Sequence, residues 1–423
     1  MRKMKKFFAA VLVVAMVGAL TACSSNTNES NEDQTNGSTV ESNENTENTE
    51  NTESSTIKMG LITLHDENST YDLNFINAAK AACEAAGVEL VIKSNIDESD
   101  ACYEAACELI EDEGCNFIFA DSFGHESYIY QAAKEYSDVQ FSHATGTSAH
   151  VYQLENFHNA FASIYEGRYL AGVAAGLKLN EMIANGEITA DEAKIGYVGA
   201  YTYAEVISGY TSFFLGARSV CESATMEVTF TGSWYDESSE KEGANTLIND
   251  GCVLISQHAD SMGAPTACEN AGIPDVSYNG STVDSCPNTF IVSSYINWAP
   301  YFQYCFECIE NGTQIAYDWT GTIETGSVCL TDLGSIAPAE GTAEKLAEVQ
   351  AELEAGTLHV FSTDSFTVNG ETLTEYLADV DGDYVGETNV IHDGYFDESG
   401  ADFRSAPYFD IQIDGITLLD TKF

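Results

Sequence analysis

Basic residues are scarce: 16 Lys and Arg stand against 67 Asp and Glu in 423 residues, for a formal charge of −51. A negative field of that size repels phosphate backbones and anionic lipid headgroups alike, which excludes nucleic acid as a partner. No apolar run approaches the ~20 residues that a membrane-spanning helix needs. The common catalytic signatures are missing too: there is no GxSxG elbow, no HExxH, no Walker loop and no GxGxxG turn. Gly124-His125-Glu126-Ser127 has a hydrolytic look, but no partner constellation accompanies it. Neither an enzyme nor a cofactor is expected. What is present is 44% hydrophobic content, ample for a core, in a chain long enough for two or three domains.

The chain opens with Arg2, Lys3, Lys5 and Lys6 ahead of an apolar run from Phe7 to Leu20, the charged and hydrophobic regions of an export signal. It ends in Leu20-Thr21-Ala22-Cys23, which resembles the lipobox of bacterial lipoproteins and implies removal of residues 1–22 and acylation of Cys23. From Ser24 to Thr56 there are eight Asn, seven Ser, seven Thr and eight acidic residues, with Val40 the one apolar side chain. Such a segment cannot bury enough surface to offset the entropy of ordering, so residues 23–56 are expected to be an acylated, disordered tether. A coil of that length spans ~30 Å, placing the body on the extracytoplasmic face of the cell membrane with lipid as its only membrane contact.

Eleven further cysteines sit mostly in or beside apolar runs, as small buried hydrophobes do. Cys305 and Cys308 form a CxxC, but within Tyr301 to Ile309 they share one face of a helix, with no second pair for zinc. Asp379-Val380-Asp381-Gly382-Asp383 departs from a calcium loop: the glycine falls two positions early and Val390 occupies the acidic twelfth position. No metal is expected.

From Ile57 onward, short apolar strands alternate with helix-length amphipathic segments, the pattern of a parallel sheet covered on both faces. Strands are expected at Ile57 to Leu64, Val88 to Lys93, Asn116 to Ala120 and Val139 to His143, with helices at Thr70 to Ala86, Ser99 to Glu113 and Glu126 to Tyr136. A second series runs from Lys194 to Tyr278, and between the two lies a helix, Glu166 to Leu179, whose Gly167, Gly172 and Gly176 suit close packing on a neighbour. The expected organisation is lobe 1 at 57–165 with return segments at about 295–360, lobe 2 at 166–294, and an extension at 361–423 packed on the lobes. Phe290 to Ser294 and the chain from Trp298 onward are read as returns to lobe 1, and Phe409 to Leu419 alternates like a half-buried strand. A hinge between two such lobes makes a cleft at the C-terminal ends of the strands.

An exported, lipid-anchored, two-lobed α/β body is the design of a substrate-binding protein of an ABC importer. Tyr165-Glu166-Gly167-Arg168-Tyr169-Leu170-Ala171-Gly172 resembles the EGxxLAG segment of the basic membrane protein family. In the same order follow Lys194 to Gly199, Phe214-Leu215-Gly216-Ala217-Arg218, Gly232 to Asp236 and Gln257 to Ser261. The resemblance covers about residues 57–330 and implies a type I periplasmic-binding fold that captures purine nucleosides or, in a subgroup, purine bases. Asp121 to Gly124, His143 to Gly146 and Asn297 to Tyr301 are most similar to the base-binding subgroup. The loop Asp66 to Asp72 lacks the nucleoside members' Asp-x-Ser-Phe-Asn pattern and offers Tyr71 in place of phenylalanine.

A purine is a flat, polarisable ring with hydrogen-bonding edges, so its site needs aromatic faces and a few polar groups in the ring plane. Tyr71, Phe123, Tyr201, Trp234 and Trp298 fall at or just past expected strand ends, where a cleft opens. Asp260 is placed to accept from an exocyclic amine, with Ser122, Glu205 and Asn279 as further polar candidates. Each has an alternative role: an aromatic can be a lid on the core, Asp260 a helix cap, Glu205 a first-turn carboxylate and His258 a core histidine. The expectation is a monomer that closes on a purine base or nucleoside and passes it to an ABC permease. A pentose or other small solute, and a sensor docking a membrane receptor, remain open alternatives.

Overall fold

The structure is a computed structural model that describes residues 57–399 and 403–421; the leader, Cys23 and the tether lie outside the described residues. In the first lobe, β1 (Lys58–Ile62), β2 (Glu89–Lys93), β3 (Phe117–Ala120), β4 (Gln140–Ala144) and β5 (Phe157–Ala162) alternate with α1 (Thr70–Ala86), α2 (Asp100–Glu111), α3 (Glu126–Glu135) and the single turn α4 (Ala149–Tyr152). Helix α5 (Ile164–Asn185) then leads into β6 (Lys194–Gly199), α6 (Ala204–Val220), β7 (Thr225–Phe230), α7 (Glu237–Asn249), β8 (Leu254–Gln257), α8 (Gly263–Ala271), β9 (Asp275–Tyr278) and β10 (Phe290–Ile296). After these come α9 (Ala299–Asn311), β11 (Asp318–Gly321), β12 (Val328–Leu330) and α10 (Thr342–Glu354). Four two-residue strands follow: β13 (Leu377–Ala378), β14 (Thr388–Asn389), β15 (Ile391–His392) and β16 (Tyr395–Phe396), before β17 (Ile416–Leu418).

Thirteen of the strands form two large sheets, ordered β11-β5-β4-β3-β1-β2 and β12-β10-β9-β8-β6-β7-β17. Within these two sheets all pairings are parallel except β10 with β12; β13 pairs with β14 and β15 with β16 as separate antiparallel ribbons. In both sheets the second strand to form lies outside the first and the third lies on the other side. That reversal leaves a crevice at the carboxyl ends of the strands. Burial from two sides explains the composition of β3, Phe117-Ile118-Phe119-Ala120, where every residue is enclosed. Helix α1 begins where Ser69 accepts from the Asp72 amide and buries Phe75, Ile76, Ala79, Ala82 and Cys83 along one face. These sheets and their helices constitute an α/β periplasmic-binding fold with two parallel-sheet lobes.

Several elements depart from the sequence-based expectation. The connection expected before α5 contains β5, a strand of the first sheet whose six residues are all buried. Its pattern was obscured because His158 and Asn159 are interior: His158 Nε2 meets Gln140 Oε1 at 2.9 Å, and Asn159 Oδ1 accepts from the Gly146 amide. The return segments divide between lobes. Only α9, packed on α1, and β11 join the first; β10 and β12 extend the second sheet, and α10 lies against α5. Along the expected C-terminal strand, Phe409, Ile411 and Ile413 are buried alternately without a sheet partner, and pairing is confined to β17 beside β7. All eleven cysteines among the described residues are free; nine are buried and Cys107 and Cys329 half-buried.

Candidate ligand-binding cleft

The lobes are closed on one another. Thr70 donates through its amide (3.1 Å) and hydroxyl (3.2 Å) to the Asp260 carbonyl in the opposite lobe. The rings of His65 and Tyr235 stand 5.4 Å apart across the cleft, and those of Phe123 and Tyr203 stand 5.6 Å apart. Between the lobes lies a narrow, closely walled cavity. Leu64 and His65 follow β1, Tyr71 and Asp72 open α1, Ser122 and Phe123 follow β3, and Thr145 follows β4. From the second lobe come Glu205 on α6, Trp234 after β7, His258 and Asp260 after β8, and Tyr278 at the end of β9. Every wall residue thus sits at the carboxyl end of a parallel strand, in the loop that follows it or in the first turn of the next helix.

The wall is hydrogen-bonded from behind. Tyr71 Oη donates to the Asp121 carbonyl at 2.8 Å, and Ser122 Oγ donates to Glu98 at 2.6 Å. Asp260 Oδ1 accepts from Asn279 Nδ2 at 3.0 Å. Two non-glycine residues adopt left-handed backbone here, Thr145 at φ 64° and Asn279 at φ 68°. Such local strain persists where surrounding structure over-determines it, commonly at ligand sites.

A family model described as ABC transporter substrate-binding protein PnrA-like, Bmp, matches residues 63–355. The chain belongs to the Bmp family. It is 31% identical over 290 residues to the purine-binding protein BAB2_0673 of Brucella abortus, covering 67% of this chain and 77% of that one. It is 29% identical over 272 residues to the putative ABC transporter glucose-binding protein TsgA13 of Haloferax volcanii, covering 63% of this chain and 65% of the relative's length. Among solved structures, an ABC transporter solute-binding protein from Conexibacter woesei aligns with TM-score 0.58 at 19% identity, covering 72% of this chain and 98% of its own. One from Aeropyrum pernix aligns with TM-score 0.60 at 15% identity, covering 74% and 94%. These likenesses show the fold. Bmp proteins are transporter substrate-binding proteins, so this chain is the solute-binding component of an ABC transporter and not an enzyme. Among its described residues no helix is long and apolar enough to cross a membrane.

In this Bmp protein the cavity gathers six of the residues singled out from sequence: Tyr71, Ser122, Phe123, Glu205, Trp234 and Asp260. Three others are elsewhere. Trp298 is enclosed in the first lobe, stacked on Phe75 at 4.4 Å, because α9 carries it away from the cleft and down onto the sheet. Tyr201 stacks on Tyr203 at 5.1 Å and stands edge-on to Trp234 at 4.9 Å, so it buttresses the wall from outside. Asn279 reaches the site only through Asp260. Asp260 does not cap the next helix, whose N-cap is Met262, whereas Glu205 does lie in the first turn of α6. His258 lines the cavity, as do Leu64, His65, Asp72, Thr145 and Tyr278. Asp72 and Thr145 belong to the loop segments Asp66 to Asp72 and His143 to Gly146, but nothing in the sequence tells their side chains from those of their neighbours.

Carboxyl groups dominate the electrostatics. Burial raises Asp260 well above the usual carboxylate range, reinforced by Asp72, Glu240 and Glu205, and so favours the neutral acid, which can donate and accept. Burial and then Asp72 likewise raise Asp121. For Asp72 itself burial opposes ionisation, but hydrogen bonds from His65 and Ser69 outweigh it and hold the group below the usual range. Burial lowers His258, against the opposing pull of Glu205 at 3.4 Å. In the C-terminal segment, carboxylate oxygens of Asp379, Asp381 and Asp383 lie within 4.8 Å of one another. Both Asp379 oxygens already accept from the Gly382 and Tyr384 amides.

Proposed function

We propose that the protein captures a purine base or nucleoside in this cleft and delivers it to an ABC permease, held at the membrane surface by lipid on Cys23. The observation that carries the reading is the make-up of the cavity. It is a narrow slot with Tyr71 and Phe123 on one lobe, Trp234 and Tyr278 on the other, and the carboxyl groups of Asp260 and Glu205. Aromatic faces serve a flat ring and carboxyl groups its amine and N–H edge. Each stacked face contributes ~1 to 3 kcal/mol towards the ~8 kcal/mol of a micromolar complex. The Brucella relative is named a purine-binding protein, which supports the same ligand class.

A sugar is the second reading, favoured by the Haloferax relative, which is named a putative glucose-binding protein. Its weakness is that no Lys or Arg lines the cavity to meet hydroxyl groups. A monomer closing its lobes needs ligand contacts to both, since binding to one lobe alone shifts no equilibrium. The test is a thermal-shift screen of residues 57–423, stripped of bound solute, against purine bases, purine nucleosides, pyrimidines and sugars. At ~100 times Kd a ligand adds ~2.7 kcal/mol, a shift of several degrees. Stabilisation by purines alone is expected; a response to sugars with none to purines would overturn the ligand assignment.

A further inference from the structure

Arg168 belongs to the segment that opens α5, and it contributes nothing to the cavity wall, yet it is fully buried. Among the described residues no Asp or Glu lies within ion-pair distance of it. Its guanidinium is instead enclosed by rings, 4.3 Å from the centroid of Tyr278, 5.3 Å from Tyr197 and 5.9 Å from Phe213. Nη2 donates to the Tyr197 hydroxyl and, at 2.9 Å, to the Gln257 carbonyl, while Nε and Nη1 have no partner. Holding a buried cation on π faces and dipoles in place of a carboxylate is unfavourable unless something is gained by it.

What the arrangement achieves follows from which groups can donate. A guanidinium only donates, so the Tyr197 oxygen accepts from it and the tyrosine's own proton must point elsewhere. His258 Nδ1 is within reach at 3.5 Å, which makes that nitrogen the acceptor. The neutral imidazole then carries its proton on Nε2, and Nε2 faces Glu205 Oε1 at 3.4 Å. These contacts are long, of the kind that tighten once a ligand fills a site. The ring is also fixed from α6: a Cβ on Gly209 would come within 2.9 Å of His258 Nδ1, so only glycine leaves room for it. The direction of donation runs from Arg168 through Tyr197 and His258 to Glu205, which lines the cavity.

We propose that Arg168 is a positioning residue: through Tyr197 it keeps the His258 proton on Nε2, holding Glu205 as a hydrogen-bond acceptor so that the second lobe selects ligands presenting an amine or ring N–H. The chain of contacts stands on geometry alone; the choice of probe ligands rests on the purine reading.

Ring-¹⁵N spectra of His258 test the first half without any ligand. The wild-type ring should be protonated on Nε2, and Tyr197→Phe should raise the fraction protonated on Nδ1, since Glu205 alone then holds the proton on Nε2. Titration with adenine and with unsubstituted purine, which lacks the amine, tests the second half. A preference for adenine of about tenfold is expected for one hydrogen bond to a carboxylate. Tyr197→Phe should reduce that preference several-fold, Arg168→Lys should retain most of it, and Glu205→Gln should abolish it without moving the His258 proton. A wild-type ring protonated on Nδ1, or a Tyr197→Phe protein with unchanged tautomer and unchanged preference, overturns the proposal. If neither ring binds, the purine reading falls and the spectra alone decide the role of Arg168.

Discussion

At the scale of the residue, two tryptophans that read alike in the sequence take opposite roles. Trp234 and Trp298 both follow a strand, but Trp234 faces the cavity beside Tyr201, whereas Trp298 is pressed against Phe75, Phe119 and Phe161. The difference depends on where the next helix carries the chain, which no local pattern records. Replacing them should separate ligand affinity from stability. Trp234→Ala is expected to weaken ligand binding by ~1 to 3 kcal/mol and to leave the melting temperature within a few degrees of wild type. Trp298→Ala should cost ~3 to 5 kcal/mol of stability through the cavity it leaves. Calorimetric titration and thermal melts of both proteins provide the check, and equal losses of binding and stability in each would refute the assignment. The carboxyl group of Asp260 was visible as a polar residue at a strand end. That its backbone carbonyl also receives Thr70 from the other lobe was not.

Among the elements, α5 and α6 illustrate how a small-residue pattern becomes contact. Gly172 and Gly176 lie one turn apart, and the sequence marks them as a surface for close packing without naming the neighbour. The neighbour is α6. A Cβ on Gly172 would fall 1.9 Å from the Phe213 carbonyl oxygen, and one on Gly216 would fall 2.0 Å from that of Tyr169. These helices approach backbone to backbone, so adding a methyl group must push them apart. Gly172→Ala is expected to cost ~3 kcal/mol or more, since an obstructing carbonyl cannot swing aside as a side chain can. Chemical denaturation would measure it, and a loss below ~1 kcal/mol would show the helices free to separate. Strand β5 was hidden for the opposite reason. Its His158 and Asn159 look like surface residues until Gln140, Gly146 and Asp318 supply their hydrogen bonds.

For the whole molecule, the C-terminal segment ties the lobes together beyond the family match. Ser405 donates its amide to Asp318 in the first lobe at 3.0 Å. On the second lobe, Glu398 accepts from Ser208 and from the amides of Tyr408 and Phe409. Glu398, Glu240 and Asp275 are buried, and burial pushes each up to about 7. Raised carboxyl groups bind more protons folded than unfolded between about pH 4.5 and 7, so their contribution to stability falls as pH rises through that window. It amounts at most to roughly 3 kcal/mol for each glutamate and roughly 4 kcal/mol for Asp275. The melting temperature should therefore decline from pH 5 to pH 8, and Glu398→Gln should flatten part of the slope. A profile that rises over the same range would contradict this assignment of the buried acids.

Strand and helix periods determined by themselves the α/β class, the pairing of two lobes and the position of a cleft at strand ends, because these follow from local patterns of burial and turn chemistry; the ordered segments added the resemblance to the family. Tertiary structure alone decided which aromatics face the ligand, where the return segments join and what the C-terminal segment does. Those outcomes depend on side chains distant in sequence meeting in space: Trp298 with Phe75, Ser405 with Asp318, and Arg168 with the ring of Tyr278.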